Sequence, residues 1–367
     1  MKIAQVAPLY ESVPPKFYGG TERIVHYLTE ELVSSGHKVT LFASGDSQTN
    51  AELIPVTQQA IRLNAECEDG LALHIVQIQE VLQRANQFDV IHFHTDYLHF
   101  PFSQNLKVPH LTTLHGRLSI PELQVVYQKF KNPVVSISND QRKPLPQANF
   151  IATVYHGLPL DLHKTGTGNE GYLAFLGRIS PEKGIDMAIE WAEASGVPLK
   201  IAAKVDKIDK EYFETRIKPL FNHPRIEFIG EINEKQKTEF LGNALALLFP
   251  INWNEPFGIV LIEAMACGTP VIARGLGSVP EIIQHGENGF IANETREAVE
   301  YIHQAKFIDR TRIRSVFENR FSSKRMAEDY LKLYQKLCLQ KSIDAKLIGL
   351  RDQNNKVPAP GITKLAK

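Results

Sequence analysis

Residues 254–270 read NEPFGIVLIEAMACGTP, and their reading decides the fold. The run follows the apolar, strand-like residues 245–249 and leads into another short apolar run at 270–273. The block between them is therefore expected to be the crossover helix of a strand–helix–strand unit. Pro256 suits the first helical position, which predicts a helix from Pro256 with free backbone N–H groups and a positive dipole end at the carboxyl end of a strand. Gly258 in that first turn lets a ligand come close to the backbone. Glu255 precedes the helix, and Glu263 follows two turns in, about 12 Å along the axis. Acidic residues on helices are usually solvated. Glu263, however, sits between Ile262 and Ala264 in an apolar stretch, where a carboxylate needs partners. Hydroxyls of an elongated ligand would serve.

Upstream, residues 176–184 read LGRISPEKG and open the helix that follows another strand, 172–176. Ser180 can cap and Pro181 fits the first turn. Arg178 and Lys183 bring two cations to a positive helix end, an unfavourable arrangement unless an anion such as a diphosphate binds there. An exposed charged turn is the alternative. Near the N-terminus, residues 16–21 (KFYGGT) lie between the first strand and the first helix, and Gly19 and Gly20 would admit a phosphate to the backbone. A lone Gly-Gly is more often only a turn. His115 and Asp96 end strands that point to the same place, although each taken alone reads as structural. His92, His94 and His99 suggest a metal site, but no acidic residue at a telling spacing completes the set, and no metal is expected. Gly275 and Gly277 follow a strand, yet the third glycine and the ribose-binding acid of a dinucleotide fingerprint are missing. A nicotinamide enzyme is excluded.

Strand-like runs and amphipathic helices alternate along the rest of the chain, as in parallel sheets with helices on both faces. Strands are expected at 2–7, 38–43, 89–94, 109–114, 133–137 and 151–155, and again at 172–176, 199–203, 226–229, 245–249 and 270–273. Residues 161–171 (DLHKTGTGNEG) interrupt the rhythm and read as a linker. The 367 residues exceed one ordinary core. The division expected is an N-terminal domain at 1–163, a C-terminal domain at 164–321, a helix at 322–341 returning to the first domain, and a frayed tail at 342–367.

Lys plus Arg and Asp plus Glu both number 41, so no bulk charge calls for nucleic acid. The three cysteines form no close pair, which fits a reducing, cytoplasmic setting. No apolar run is long enough to cross a bilayer. The basic residues Arg310, Arg312, Arg314, Arg320, Lys324 and Arg325 could meet anionic lipid, with a solvated helix face the preferred reading.

Together these segments resemble the retaining glycosyltransferases of family 4 over nearly the whole chain. Glu255 and Glu263 carry the most specific part of the likeness, followed by Gly177, Arg178, Glu182 and Lys183. The resemblance implies the α/β GT-B fold, two Rossmann-like doubly wound domains facing a central cleft, with the donor bound mainly by the C-terminal domain. It implies that Glu255 contacts the transferred sugar and Glu263 holds the ribose, while Arg178 and Lys183 bind the diphosphate. Gly19 and Gly20 would close from the N-terminal domain. Backbone amides at Phe257, Gly258 and Ile259 would meet sugar and phosphate, His115 would lie near the sugar, and Asp96 would stand on the acceptor side. The implied reaction moves a hexose from a nucleotide-diphosphate sugar (UDP-glucose type slightly ahead of GDP-mannose) to a hydroxyl acceptor, with no cofactor and no metal. A non-catalytic nucleotide-sugar binding module and an epimerase of the same architecture are the alternatives. The chain departs from the family pattern at residues 250–253 (PINW) and at Ala203 and Lys204, near the expected base pocket.

Overall fold

The computed structural model describes residues 1–16 and 19–354, the last of them, from 344 onward, by backbone alone. The first sheet contains β1 (Lys2–Val6), β2 (Lys38–Ser44), β3 (Glu52–Thr57), β4 (Val90–Phe93), β5 (His110–Thr113), β6 (Val134–Ser136) and β7 (Phe150–Thr153). All pairings are parallel, in the order β3-β2-β1-β4-β5-β6-β7. The second sheet contains β8 (Leu173–Arg178), β9 (Leu199–Lys204), β10 (Ile226–Gly230), β11 (Ala246–Phe249), β12 (Val271–Ala273) and β13 (Gly289–Ile291). Its order, β10-β9-β8-β11-β12-β13, repeats the same winding. In each sheet the strand order reverses beside the first strand, and ligands of such sheets bind at the carboxyl ends there. The two doubly wound domains expected are present.

The principal helices are α1 (Gly20–Ser34), α2 (Gly70–Gln83), α3 (Pro121–Lys129), α4 (Ile185–Ser195), α5 (Glu234–Gly242), α6 (Ile259–Ala266), α7 (Thr295–Gln304), α8 (Arg310–Arg320) and α9 (Ser323–Asn354). Apolar spacing explains them. In α1, Ile24, Leu28 and Leu32 are buried against the sheet, whereas α6 is apolar on nearly every side and buried from Leu261 through Ala266. A largely buried helix leaves Glu263 no solvated face.

Several expectations need correction. The strands β3 and β13 have no counterpart in the sequence reading; β3 carries Pro55 and is only half-buried, a weak strand signal. The helix expected to stop at residue 341 runs to Asn354, because no proline or capping glycine interrupts the helix-forming residues beyond it. Residues 342–354 are therefore helical, and the remainder of the expected tail, 355–367, lies outside the described residues. The linker at 161–171 is irregular but tied down: Gly166 N donates to Cys267 O at 3.0 Å and Gly168 N to Gly242 O at 2.9 Å.

The basic run is not the simple solvated face preferred from the sequence. Arg310 donates to the carbonyls of Gly166, Gly242 and Ala244, and Arg314 to those of His163 and Ala266. Arg320 reaches Glu281 O, and Arg325 reaches Tyr155 O and His156 O. These guanidiniums satisfy backbone acceptors that loops would otherwise leave bare. Arg312, paired with Glu287, and Lys324 are the exposed members. No helix among the described residues is long and apolar enough to cross a membrane.

Candidate functional site between the two sheets

The carboxyl ends of β1, β4 and β5 face those of β8 and β11 across a cleft of about 1190 Å³. Every residue that the family resemblance assigned to the site lines it: Gly19, Gly20, Asp96 and His115 on one wall, and Arg178, Lys183, Glu255, Phe257, Gly258, Ile259 and Glu263 on the other. Phe17 and Tyr18, which precede Gly19 in the sequence, lie outside the described residues. A typical small-molecule site occupies about 300–1,000 Å³, so this cleft has room for more than one substrate.

The entrance to α6 differs from the sequence reading. Pro256 is not the first helical residue; Gly258, with φ 81°, caps the helix, which begins at Ile259. Residues 254–257 instead form a loop tied to Ser278. Ser278 N donates to Glu255 O at 2.9 Å, and Ser278 Oγ donates to Phe257 O at 2.8 Å. Glu263 is accordingly one turn into the helix rather than two. The N-terminus of α1 comes close here: a Cβ added at Gly20 would stand 3.5 Å from Ile259 Cδ1.

Glu263 is 3% exposed and needs no ligand to satisfy it. Arg23 of α1 donates to its Oε1 at 2.6 Å, and Lys237 of α5 to the same atom at 2.9 Å. Burial works to raise this carboxyl, but Lys237 and Arg23 hold it well below the usual carboxylate range. Conversely, burial would lower the Arg23 guanidinium, and Glu263 draws it above its ordinary value. Sequence reasoning missed Arg23 and Lys237, since neither lies in a motif. His163 and Glu234 stand in the same corner, with ligand atoms within 4.8 Å of each other and of Glu263. The two cations already on Glu263 oppose a metal ion there.

The cations on the C-terminal wall are also compensated. Lys183 donates to Glu255 Oε2 at 2.5 Å and lies 5.1 Å from the centre of the Trp253 ring. Trp253 Nε1 donates to the same carboxylate oxygen at 3.0 Å. Arg178 pairs with Glu182, with Asp209 at 3.3 Å and with Asp206 at 3.7 Å. The sequence argument that only an anion could offset these cations is thus corrected: carboxylates do so. Nor does a single helix start at Pro181. A short turn, Pro181–Lys183, ends at Gly184, and α4 begins at Ile185, with no capping bond from Ser180.

On the N-terminal wall, Asp96 is exposed and takes the left-handed backbone region, φ 49°, an uncommon conformation that often marks a functional loop. His115 Nε2 lies 2.8 Å from His94 Nδ1, and its ring stacks on His156 at 5.3 Å. Burial pushes the His115 imidazole down to about 3, so it is neutral at physiological pH. His92 and His99 bind Tyr334, Thr113, Ser103 and Thr112 instead of converging on a common point. The three histidines considered as metal ligands are thus held by hydrogen bonds to neighbouring side chains.

Comparison with known proteins places this geometry. The family profile described as "Glycosyl transferases group 1" matches residues 163–314, and that of "Glycosyltransferase Family 4" matches residues 18–153. An uncharacterised glycosyltransferase of Methanocaldococcus jannaschii is 25% identical over 336 residues, covering 79% of this chain and 84% of the relative. A glycogen synthase of Mycobacterium tuberculosis is 25% identical over 344 residues, covering 79% and 81%. Among solved structures, Anabaena HepE in complex with UDP and glucose superposes with a TM-score of 0.70 at 20% identity, covering 92% of this chain and all (100%) of that one.

Proposed function

Because the chain belongs to glycosyltransferase family 4, we propose that it transfers a hexose from a nucleoside-diphosphate sugar to an acceptor hydroxyl with retention of anomeric configuration. The observation that carries this reading is the Lys183–Glu255 pair at the entrance to α6, facing Gly19 and Gly20 across the cleft. When a donor enters, Lys183 exchanges a carboxylate oxygen of Glu255 for the diphosphate, and Glu255 turns to hydroxyls of the transferred sugar. Arg178, Lys183 and the N–H groups at Gly258 and Ile259 oppose the charge that grows on the leaving diphosphate. Such electrostatic stabilisation is usually the main source of rate in a reaction of this kind. These groups give the site an anion-binding surface with no metal or cofactor. Glu263, through the carboxylate oxygen that Arg23 and Lys237 leave open, accepts from a ribose hydroxyl.

The bond between the anomeric carbon and the phosphate oxygen breaks as the acceptor oxygen bonds to that carbon on the same face. The acceptor proton passes to the departing diphosphate. A UDP-linked glucose-type donor is favoured, since a structural neighbour holds UDP and glucose. Asp96 lies on the acceptor side.

Thermal unfolding of the full chain with UDP-glucose, GDP-mannose and ADP-glucose tests the donor. A ligand at a hundred times its Kd stabilises by about 2.7 kcal/mol, which raises the midpoint by a few degrees, most strongly for the UDP-sugar. No shift with any of the three would contradict the reading.

A further inference from the structure

Beneath the N-terminal wall, buried polar side chains form a continuous hydrogen-bonded chain that ends at the cleft. Tyr334 of α9, Gln5 of β1 and His92 of β4 are all fully buried, and His94 is 2% exposed. Gln5 Nε2 donates to Tyr334 Oη at 3.1 Å, and Gln5 Oε1 lies 2.8 Å from His94 Nε2. His94 Nδ1 lies 2.8 Å from His115 Nε2. Behind Tyr334 the chain continues through His92 Nδ1 at 2.7 Å, and from His92 Nε2 to Thr113 Oγ1 at 2.7 Å and on to Tyr330 Oη at 2.7 Å. At its other end, His115 Nδ1 is buried and has no hydrogen-bond partner among the described residues.

The chain has a direction, because an amide donates only from nitrogen and accepts only at oxygen, and a neutral imidazole has one donor and one acceptor. Burial keeps both His94 and His115 neutral. With its nitrogen on Tyr334, Gln5 offers its oxygen to His94, which must donate from Nε2. His94 Nδ1 is then an acceptor, so His115 must donate from Nε2, and its Nδ1 carries a lone pair. That atom is a buried, unsatisfied acceptor of a residue that lines the cleft. A buried polar atom without a partner is costly, and a ligand hydroxyl would offset that cost. The ring cannot easily turn away: it stacks on His156, whose own ring meets Phe257 edge-on at 4.9 Å.

We propose that Tyr334, Gln5 and His94 are positioning residues that hold His115 in its Nε2–H tautomer, so that Nδ1 accepts a hydrogen bond from a hydroxyl of the transferred sugar. The role of the sugar rests on the donor reading above; the tautomer does not. The C-terminal helix thereby sets the chemistry of a cleft residue. The opposite polarity, with the Gln5 oxygen on Tyr334, would place an N–H at Nδ1 and make it a donor.

Nitrogen-15 NMR of histidine-labelled full-length chain, free of donor, reads the tautomer directly. The expected spectrum shows His115 protonated at Nε2 and bare at Nδ1. Tyr334→Phe, which frees the amide to turn, is expected to bring in the Nδ1–H form and to lower kcat/KM on the order of tenfold, the weight of one hydrogen bond. A wild-type His115 carrying Nδ1–H overturns the proposal, as does a Tyr334→Phe variant that changes neither tautomer nor rate. A chain with the expected tautomer that releases nucleoside diphosphate from no nucleotide sugar overturns the donor reading and the role of Nδ1, and leaves the polarity of the chain standing.

Discussion

Lys183 answers to two partners in turn, the Glu255 carboxylate in the structure and the diphosphate in the proposed complex. Replacing it by alanine removes a preorganised cation from the leaving group, and turnover is expected to fall by about two orders of magnitude, measured at saturating donor. Glu263 presents the converse case. Its carboxylate is depressed because Arg23 and Lys237 bond it, and removing it leaves both cations with the more exposed Glu234 carboxylate as their remaining partner. Glu263→Ala is therefore expected to cost about 1–3 kcal/mol of stability, read by denaturant unfolding, besides weakening donor binding. An unchanged unfolding midpoint would mean the ion triad contributes nothing. At this scale sequence reading went only part of the way. Glu263 was recognisable as a carboxylate in apolar company. Arg23, 240 positions away, was not, because a partner brought in by tertiary folding leaves no trace in local spacing.

At the level of elements, the loop ahead of α6 is held from behind by Gly277 and Ser278. Gly277 has φ 60°, and a Cβ there would stand 2.4 Å from both Glu255 N and Glu255 O. Gly286 has a similar backbone, φ 82°, but open space around it. Both changes to alanine carry a backbone strain of about 1–2 kcal/mol, whereas only Gly277→Ala should displace Glu255. Transfer activity is expected to collapse in Gly277→Ala and to stay near wild type in Gly286→Ala; equal activities would show that the Glu255 loop is not set by this contact. The start of α6 was misread for a related reason. Pro256 is a genuine helix-start signal, but Gly258 in the left-handed region takes the cap two residues later, and Ser278, far along the chain, fixes the intervening backbone. The glycines at 275 and 277 failed as a dinucleotide fingerprint, and the structure shows Gly277 packed against the Glu255 backbone instead.

Over the whole molecule, burial leaves an unusual number of histidines neutral. His92, His94, His99 and His156 are held well below their ordinary value by burial, and His115 is pushed to about 3. In the unfolded chain each titrates near 6.5. Their stabilising contribution is therefore complete above about pH 6.5 and is lost as pH falls, because only the unfolded state takes up the protons. Below that point each adds a slope of up to about 1.4 kcal/mol per pH unit. Stability measured between pH 7 and pH 5 should drop steeply with proton uptake on unfolding, and a flat profile would show that these rings are protonated in the fold. The two-domain architecture was legible in the sequence because parallel sheets buried on both faces write continuous β-branched runs. The half-buried edge strand β3 escaped notice since it writes none. The convergence of both walls on one cleft followed from strand order, which places residues 19, 115, 178 and 255 at carboxyl ends without any contact being visible beforehand.

The central claim is that this cleft uses Arg178 and Lys183 to expel a nucleoside diphosphate from a bound nucleotide sugar. It is tested most directly by measuring nucleoside diphosphate release from UDP-glucose and GDP-mannose by the wild-type chain and by Lys183→Ala, with tritium or carbon-14 in the sugar to follow its destination. The prediction is measurable release by the wild type, fastest from the UDP-sugar, and a loss of about a hundredfold in the variant. Near-equal release by the two chains would contradict it.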